Sequence, residues 1–353
     1  SESMMFDSRT PHKAGTSAFS QLDAPPERIF VQEAGRAKLL PTGCGTYAFH
    51  DNAGELLYIG KAKNVRARVL GHFREPGDST LLLRPWTRQI ARIEVRPAQS
   101  EMEALLVEAD LVARLRPPFN RQMRSWRRYC YLVPTQDYAN PLSISCQLHS
   151  WRRCLGPYRT RRQAVRIVET VFRLVTHNGD ADMLAKCYRL LSGEDDSLVL
   201  DLEQQQEKLV ADKKDEPWGR SLPHLTETLK KASERAALLR NAEDILGGLI
   251  IMPGSDDGRT VAVITDAGLH LARIEPEDGS AEAFLKRYRK LVGDKSNGSP
   301  RRLPKAIADV LCVATHQMRR HPPKYRFMTV EQAFALTSGD LMTFAFGDLT
   351  SAS

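Results

Sequence analysis

Four short motifs between residues 45 and 120 constrain this chain more than any other part of it. In order, they are Gly45-Thr46-Tyr47, then Tyr58-Ile59-Gly60, then a helical segment that carries Glu108, and finally Pro118-Phe119-Asn120. No purely structural rule requires glycines, tyrosines, one acid and one amide in this succession. The segment is therefore the first place to look for a functional site.

The first two motifs lie on a predicted β-hairpin. Residues 45–49 and 55–60 are rich in β-forming side chains, and the polar sequence Asp-Asn-Ala-Gly separates them. Such a pattern is typical of two antiparallel strands joined by a turn. Tyr47 and Tyr58 are then expected on neighbouring strands.

A helix, a third strand and a second helix are predicted next. Apolar residues recur with helical spacing over residues 63–73, which places Arg68 and His72 on one face where both can reach a common target. Residues 91–98 alternate as a strand does, and Ser100 with Glu103 forms a capping box that opens a helix running to about residue 116.

Glu108 is the most informative residue of the second helix. Its neighbours at helical spacing are apolar, whereas Glu103, Asp110 and Arg114 are expected on a solvated face. An unpaired carboxylate on an apolar face loses hydration, so Glu108 needs a cation. Spacing alone leaves two alternatives open: a metal ion, or a structural salt bridge to one of the many arginines.

Taken together, these motifs resemble the GIY-YIG nuclease domain, most closely that of the excinuclease subunit UvrC and its shorter relative Cho. Glu108 and Asn120 reproduce the family's interval of twelve residues between its metal-binding Glu and the Asn of a Pro-x-aromatic-Asn element. The resemblance implies one divalent ion, Mg²⁺ or Mn²⁺, held by Glu108. It also implies a set of catalytic residues, namely Tyr47, Tyr58, Lys61, Arg68, His72 and Asn120.

In that scheme the two tyrosines shape or activate the attacking water, and Lys61 and Arg68 contact the scissile phosphate. Two positions depart from the family pattern: Thr46 replaces the usual aliphatic residue, and His72 stands where many UvrC sequences have Tyr. A histidine can still donate to a phosphate. Taken singly, each tyrosine could equally be an ordinary strand residue.

Positive charge is concentrated in one part of the chain. The formal net charge is +8, but residues 111–168 alone contain twelve arginines, no lysine and a single acid, Asp137. Such clustering favours contacts with the DNA backbone, with aromatic stacking on Trp126 and Tyr158, although a solvated basic face that binds nothing is the alternative. The candidate DNA-binding residues are Arg121, Arg124, Arg127, Arg128, Arg152, Arg153, Arg161 and Arg162.

The predicted fold class is α+β: a small three-stranded antiparallel GIY-YIG sheet flanked by helices, a basic β/α extension, a helical hairpin and a small β-rich C-terminal domain. The boundaries expected are a flexible N-terminal tail at 1–38, the nuclease domain at 39–124, the UvrC-like extension at 125–193, the hairpin at 194–246 and the C-terminal β-meander with helices at 247–353. The hairpin pattern is interrupted at Pro217 to Pro223.

Cysteine spacing separates this chain from UvrC. There the basic segment leads to a cysteine cluster for an iron-sulfur centre, but the six cysteines here are scattered, the closest pair being eight residues apart. An iron-sulfur cluster is not expected, and the cysteines are interpreted as reduced packing residues.

The sequence thus predicts a metal-dependent DNA endonuclease of the UvrC/Cho type that cuts one phosphodiester, in excision repair of damaged DNA. The alternatives are a genome-defence or mobile-element nuclease and a catalytically silent DNA-binding protein. UvrB, or UvrA with UvrB, is a candidate partner, because residues 234–241 resemble the UvrB-binding motif of UvrC, although Ser233 replaces its usual Phe. With no transmembrane run or signal-peptide core, a cytoplasmic location is expected.

Overall fold

The computed structural model describes most of the chain. The described residues are 16–23, 29–73, 85–123, 126–135, 137, 139–148, 154–179, 181–212, 217–254, 256–276, 279–293, 303–321 and 324–347. The chain forms two compact units, and each is described by itself. Unit 1 comprises Ser1–Ser125, Asp244–Ser299 and Asp309–Ser353, and unit 2 comprises Trp126–Glu243 and Pro300–Ala308.

The first sheet of unit 1 is antiparallel and four-stranded, in the order β1-β4-β2-β3. Its strands are β1 (Phe30–Glu33), β2 (Gly45–His50), β3 (Leu56–Ala62) and β4 (Arg92–Pro97). The three predicted strands are confirmed. The added strand β1 belongs to the segment predicted as a flexible tail, and it pairs with the free edge of β4, with Phe30 opposite Val95. Alternating burial along its four residues stabilises it there.

Two helices flank this sheet, α1 (Val65–Phe73) and α2 (Glu101–Leu115). The Ser100 side chain caps α2 by accepting a hydrogen bond from the Glu103 N–H, as predicted. The Glu103 carboxylate accepts from the Gln99 N–H at 3.0 Å instead of closing the reciprocal half of the capping box on Ser100.

The rest of unit 1 is built on a second antiparallel sheet, in the order β10-β9-β8-β11. The meander β8 (Leu249–Pro253), β9 (Arg259–Thr265) and β10 (Gly268–Ile274) confirms the prediction, and β11 (Arg326–Met328) extends it. Three helices pack their apolar faces against this sheet: α7 (Ser280–Val292), α9 (Val330–Phe334) and α10 (Ser338–Phe346). Helix α8 (Lys305–Arg320) begins in unit 2 and continues into unit 1.

Helix α2 packs within unit 1 against both sheets, which corrects the prediction of a solvated face. Glu103 and Asp110 are 1% and 0% exposed. The Asp110 Oδ1 accepts from the Leu269 N–H of β10 at 3.1 Å, and the Glu103 Oε2 accepts from the Thr260 hydroxyl of β9 at 3.3 Å. Burial is tolerated because Arg96 lies 2.8 Å from Glu103 and Arg114 lies 2.5 Å from Asp110.

Unit 2 combines a three-stranded sheet with four helices. The strands β5 (Cys130–Pro134), β6 (Leu142–Ser145) and β7 (Leu155–Tyr158) are antiparallel, with β5 central. The helices are α3 (Arg161–Asn178), α4 (Ala181–Leu191), α5 (Ser197–Ala211) and α6 (Pro217–Ile245). No described helix is long and apolar enough to span a bilayer.

The predicted interruption of the helical hairpin at Pro217 to Pro223 is wrong. Helix α6 already begins at Pro217 and contains Pro223. A proline suits the first position of a helix because the N–H that it lacks would have no partner there. Pro223 lies within the second turn of the helix, near that same end.

Candidate active site

Tyr47 lies at the centre of the candidate site because Gly60 makes room for it. The two residues are directly opposite each other on β2 and β3. A Cβ atom on Gly60 would lie 2.5 Å from the Tyr47 hydroxyl oxygen and 2.8 Å from the Tyr58 ring. Only glycine fits between the two tyrosines, which gives the glycine of the second motif a steric reason.

The Tyr47 hydroxyl is the common target of Arg68 and His72. It lies 2.9 Å from the His72 Nε2, and the Arg68 side chain is near enough to lower its pKa, so these two residues of α1 converge as predicted. Burial raises the pKa of Tyr47 above its ordinary value, the nearby Tyr58 raises it further, and Arg68 opposes the shift. Tyr47 is therefore a neutral phenol at physiological pH.

An aromatic cluster supports the two tyrosines from one side. Tyr58 stacks on Trp86 with 5.3 Å between ring centroids, and Trp86 stacks on Phe119 at 4.9 Å and 9°. Trp86 lies in a short 3₁₀ helix, Pro85–Gln89, that the sequence analysis did not single out. The signal was weak, because a lone tryptophan between predicted elements carries no periodicity.

Glu108 differs from the other acids of α2. It is half-buried, and desolvation raises its pKa to about 7, while the positive charges of Lys61 and Arg68 act in the opposite direction. Among the described residues, no basic side chain lies within ion-pair distance of its carboxylate. The salt bridge left open by the sequence is thus not formed within the described part of the chain.

The chemistry of Glu108 fits a divalent cation. A hard carboxylate oxygen is a preferred ligand of Mg²⁺, which commonly binds through one or two carboxylates and keeps several waters. A bound cation would supply the charge that the half-buried carboxylate lacks. No cluster of three or more His, Cys, Asp or Glu side chains arranged for a metal occurs in the described ranges, so Glu108 would hold the ion with water and substrate oxygens.

Asn120 hydrogen-bonds the backbone of β3. Its amide group donates to the Ile59 carbonyl at 2.8 Å and accepts from the Ile59 N–H at 3.0 Å. Because β3 is the edge strand of the sheet, these bonds satisfy groups that no further strand covers. Asn120 thereby fixes the strand between Tyr58 and Gly60, and it is a positioning residue.

Thr46 also has a defined structural role. Its buried hydroxyl donates to the Ala104 carbonyl of α2 at 3.0 Å. The hydroxyl that departs from the family pattern therefore ties the strand of Tyr47 to the helix of Glu108.

The candidate DNA-binding arginines are only partly described. In unit 1 Arg121 is exposed, and in unit 2 so are four more: Arg127, Arg128, Arg161 and Arg162. The other three, Arg124, Arg152 and Arg153, lie outside the described residues.

The predicted stacking of bases on Trp126 and Tyr158 is wrong. Trp126 is only 5% exposed and Tyr158 only 1%. Both rings contribute to packing, and the Arg127 guanidinium covers the Trp126 ring at 5.6 Å from its centroid. Neither aromatic surface is available to a nucleobase.

Comparison with known proteins agrees with this geometry. Residues 43–121 match the family model of the UvrC-like GIY-YIG domain. The match assigns the hairpin with Tyr47 opposite Gly60, and the helix that carries Glu108, to the GIY-YIG nuclease class. Within that class, residues 43–121 form a UvrC-like GIY-YIG domain.

The curated relatives are proteins named "UvrABC system protein C". The chain is 33% identical over 154 residues to that of Prosthecochloris aestuarii, a match that covers 42% of this chain and 25% of the relative. It is 39% identical over 104 residues to that of Rhizobium meliloti, covering 30% and 15% of the two chains. The match to the Methanothermobacter thermautotrophicus protein is 31% over 139 residues, covering 38% and 24%. The chain thus matches about a quarter or less of the length of these relatives.

Proposed function

We propose that this chain is a metal-dependent DNA endonuclease that hydrolyses one phosphodiester per binding event. The observation that carries the proposal is the state of Glu108. It is half-buried, it has no ion-pair partner among the described residues, and the positive charges of Lys61 and Arg68 lower its otherwise raised pKa. A site with this composition can gather a metal ion and a phosphate group.

Each side chain has a role in this proposal. Lys61 and Arg68 bind the non-bridging oxygens of the scissile phosphate and offset the charge that grows on them. Glu108 holds the divalent ion, which when bound polarises the phosphate and stabilises the leaving oxygen. Asn120 and Thr46 hold the strands and the helix that carry these groups.

Tyr47 and His72 handle the proton of the attacking water. The Tyr47 O–H can donate to the His72 Nε2 at 2.9 Å, so that the phenol oxygen is oriented to accept a hydrogen bond from water. As the water oxygen attacks phosphorus, its proton passes to the Tyr47 oxygen and the phenolic proton passes to His72. The raised pKa of Tyr47 makes this acceptor necessary, because a buried phenolate is unfavourable by itself.

We further propose that the incision belongs to excision repair, with UvrB, or UvrA and UvrB, as recruiting partners in the cytoplasm. This rests on the likeness to proteins named for the UvrABC system. The segment that resembles a UvrB-binding motif lies in α6, where Ala236 and Leu239 are each 4% exposed. Its apolar side is therefore buried, and recruitment would have to use another surface.

A nicking assay on plain and lesion-bearing duplex DNA tests the proposal, with and without UvrA and UvrB. Cutting that requires a lesion and both partners supports excision repair. Cutting of plain duplex without partners would instead indicate a defence or mobile-element nuclease. Binding without cutting under every metal condition would contradict an endonuclease and favour a silent DNA-binding protein.

A further inference from the structure

Unit 2 contains an open groove, of about 230 Å³, between two helices outside the GIY-YIG domain. One wall is the first part of α3 and the other is the middle of α6. The polar side chains that line it include Arg162, Arg166, His224, Glu227, Thr228 and Lys231. Among these, only Arg162 was a candidate DNA-binding residue from the sequence.

The α3 wall carries two arginines without acidic partners. Arg162 and Arg166 are four residues apart, so they lie on the same face of the helix, and both are exposed. Neither forms an ion pair with a described acidic side chain. Like charges at this spacing destabilise a helix slightly. An anion in the groove would remove that repulsion.

The N-terminal end of α3 adds to the positive potential. Thr160 caps the helix by accepting from the Gln163 N–H, and the helix dipole places partial positive charge at this end. Both arginines lie within the first two turns. The wall therefore combines two full charges with a favourable dipole.

The α6 wall contributes hydrogen-bonding groups and one lysine. His224, Thr228 and Lys231 are spaced by four and three residues, which places them on one face. The one acid among the described lining residues, Glu227, is paired with Lys231 at 2.8 Å. Its negative charge is thus offset locally, and Arg162 and Arg166 leave the groove with a net positive charge.

We propose that this groove binds a backbone phosphate of DNA, as an anchoring site separate from the GIY-YIG centre. Its volume is below the roughly 300–1,000 Å³ of sites for drug-sized ligands, which suits a phosphate with its attached sugar better than a whole cofactor. Phosphate contacts carry no base information, so the groove anchors DNA regardless of sequence. This inference rests on the proposed function, since it assumes that DNA is the substrate.

The test compares two double variants that remove the same charge. Arg162→Ala/Arg166→Ala removes both positive charges from the α3 wall of the groove. The control, Arg173→Ala/Lys208→Ala, removes two exposed cations of α3 and α5 that do not line the groove. A third variant, Thr228→Glu, adds an acid to the opposite wall. Binding to a fluorescent duplex is measured by anisotropy in EDTA over a range of salt concentrations, and circular dichroism checks folding.

We expect both groove variants to bind DNA more weakly than the wild type, and the control to match it. Each lost phosphate contact should reduce the slope of log affinity against log salt concentration by about 0.9. The fold-loss of affinity between 50 and 200 mM salt should therefore be about 3.5 times smaller for each contact removed. Groove variants that keep the affinity and slope of the control would overturn the inference.

Two further outcomes separate the possible failures. If the wild type itself does not bind DNA, the proposed function fails together with the groove. If Arg162→Ala/Arg166→Ala loses calorimetric binding of inorganic phosphate but keeps its DNA affinity, the groove is a small-anion site and the DNA assignment is wrong.

Discussion

Helix α2 buries acidic side chains on two sides within unit 1, and among the described residues only the acids on the meander side are paired with arginines. Towards the C-terminal meander, Glu103 lies 2.8 Å from Arg96 and Asp110 lies 2.5 Å from Arg114. Towards the tyrosine hairpin, Glu108 has no such partner among the described residues. Its pKa is raised to about 7 mainly by desolvation.

The difference separates structural from functional carboxylates on one helix. A buried acid that is paired and hydrogen-bonded contributes to the native fold, whereas an acid left without its own cation carries a cost. Such a cost is tolerated where a ligand removes it. We therefore assign the meander side of α2 to stability and the hairpin side to chemistry.

The largest expected effect is on cleavage by Glu108→Gln. Loss of the negative charge that holds the cation should lower the single-turnover rate by about 10³-fold or more, because the cation acts mainly on the transition state. DNA affinity should change little. Glu101→Gln is the matched control, since Glu101 lies on the same helix in an exposed pair with Lys63. An equal loss of cleavage rate in both variants would show that Glu108 has no special role among the acids of α2.

The next effect concerns Tyr47 and His72. Tyr47→Phe and His72→Ala should each lower the cleavage rate by about 10²-fold, in the range of general-base effects, because each breaks the Tyr47–His72 proton path. The double variant should be little worse than either single one, since the residues act as a unit. Additive losses in the single-turnover rate would contradict a shared path.

The free energy of unfolding should change when an acid on the meander side of α2 is replaced. Glu103→Gln leaves Arg96 buried beside a neutral amide, and breaking a buried pair in this way costs about 3–5 kcal/mol. Urea unfolding should show the loss, and Arg96→Leu/Glu103→Leu should recover much of it. A fully stable Glu103→Gln variant would show that the ion pair does not hold α2.

A smaller effect is expected from pH in the metal-free protein. With a folded pKa of about 7 against an ordinary 4.5, Glu108 binds more protons when folded, so this contribution to stability grows as pH falls through 7. Between pH 8 and pH 6 the wild type should gain about 1 kcal/mol of unfolding free energy relative to Glu108→Gln. Urea titrations in EDTA measure this difference. If the unfolding free energies of the two proteins changed with pH in the same way, the Glu108 carboxylate would be hydrated and its pKa would not be raised.

Local patterns were enough to predict the hairpin side of the site. Strand alternation, the turn and helical spacing indicated the neighbouring strands of Tyr47 and Tyr58 and the convergence of Arg68 with His72, because these relations depend on residues close in sequence. The spacing also indicated that Glu108 would need a cation.

The meander side could not be predicted in the same way. Glu103 and Asp110 bond residues 157 and 159 positions away, and no local periodicity encodes such contacts. The same reason explains strand β1, which pairs with residues about 60 positions later in the chain. Glu103 and Asp110, which the local pattern placed on a solvated face, are covered by the C-terminal meander.

Manganese binding tests whether Glu108 holds the metal ion. Electron paramagnetic resonance can count the Mn²⁺ ions bound by the wild type, Glu108→Gln and Glu101→Gln, each saturated with duplex DNA that carries a non-hydrolysable linkage. Beyond the ions held by the DNA alone, we expect one bound ion in the wild type and in Glu101→Gln, and at least about tenfold weaker binding in Glu108→Gln. Undiminished binding of the ion by Glu108→Gln would contradict the assignment of Glu108 as the metal ligand.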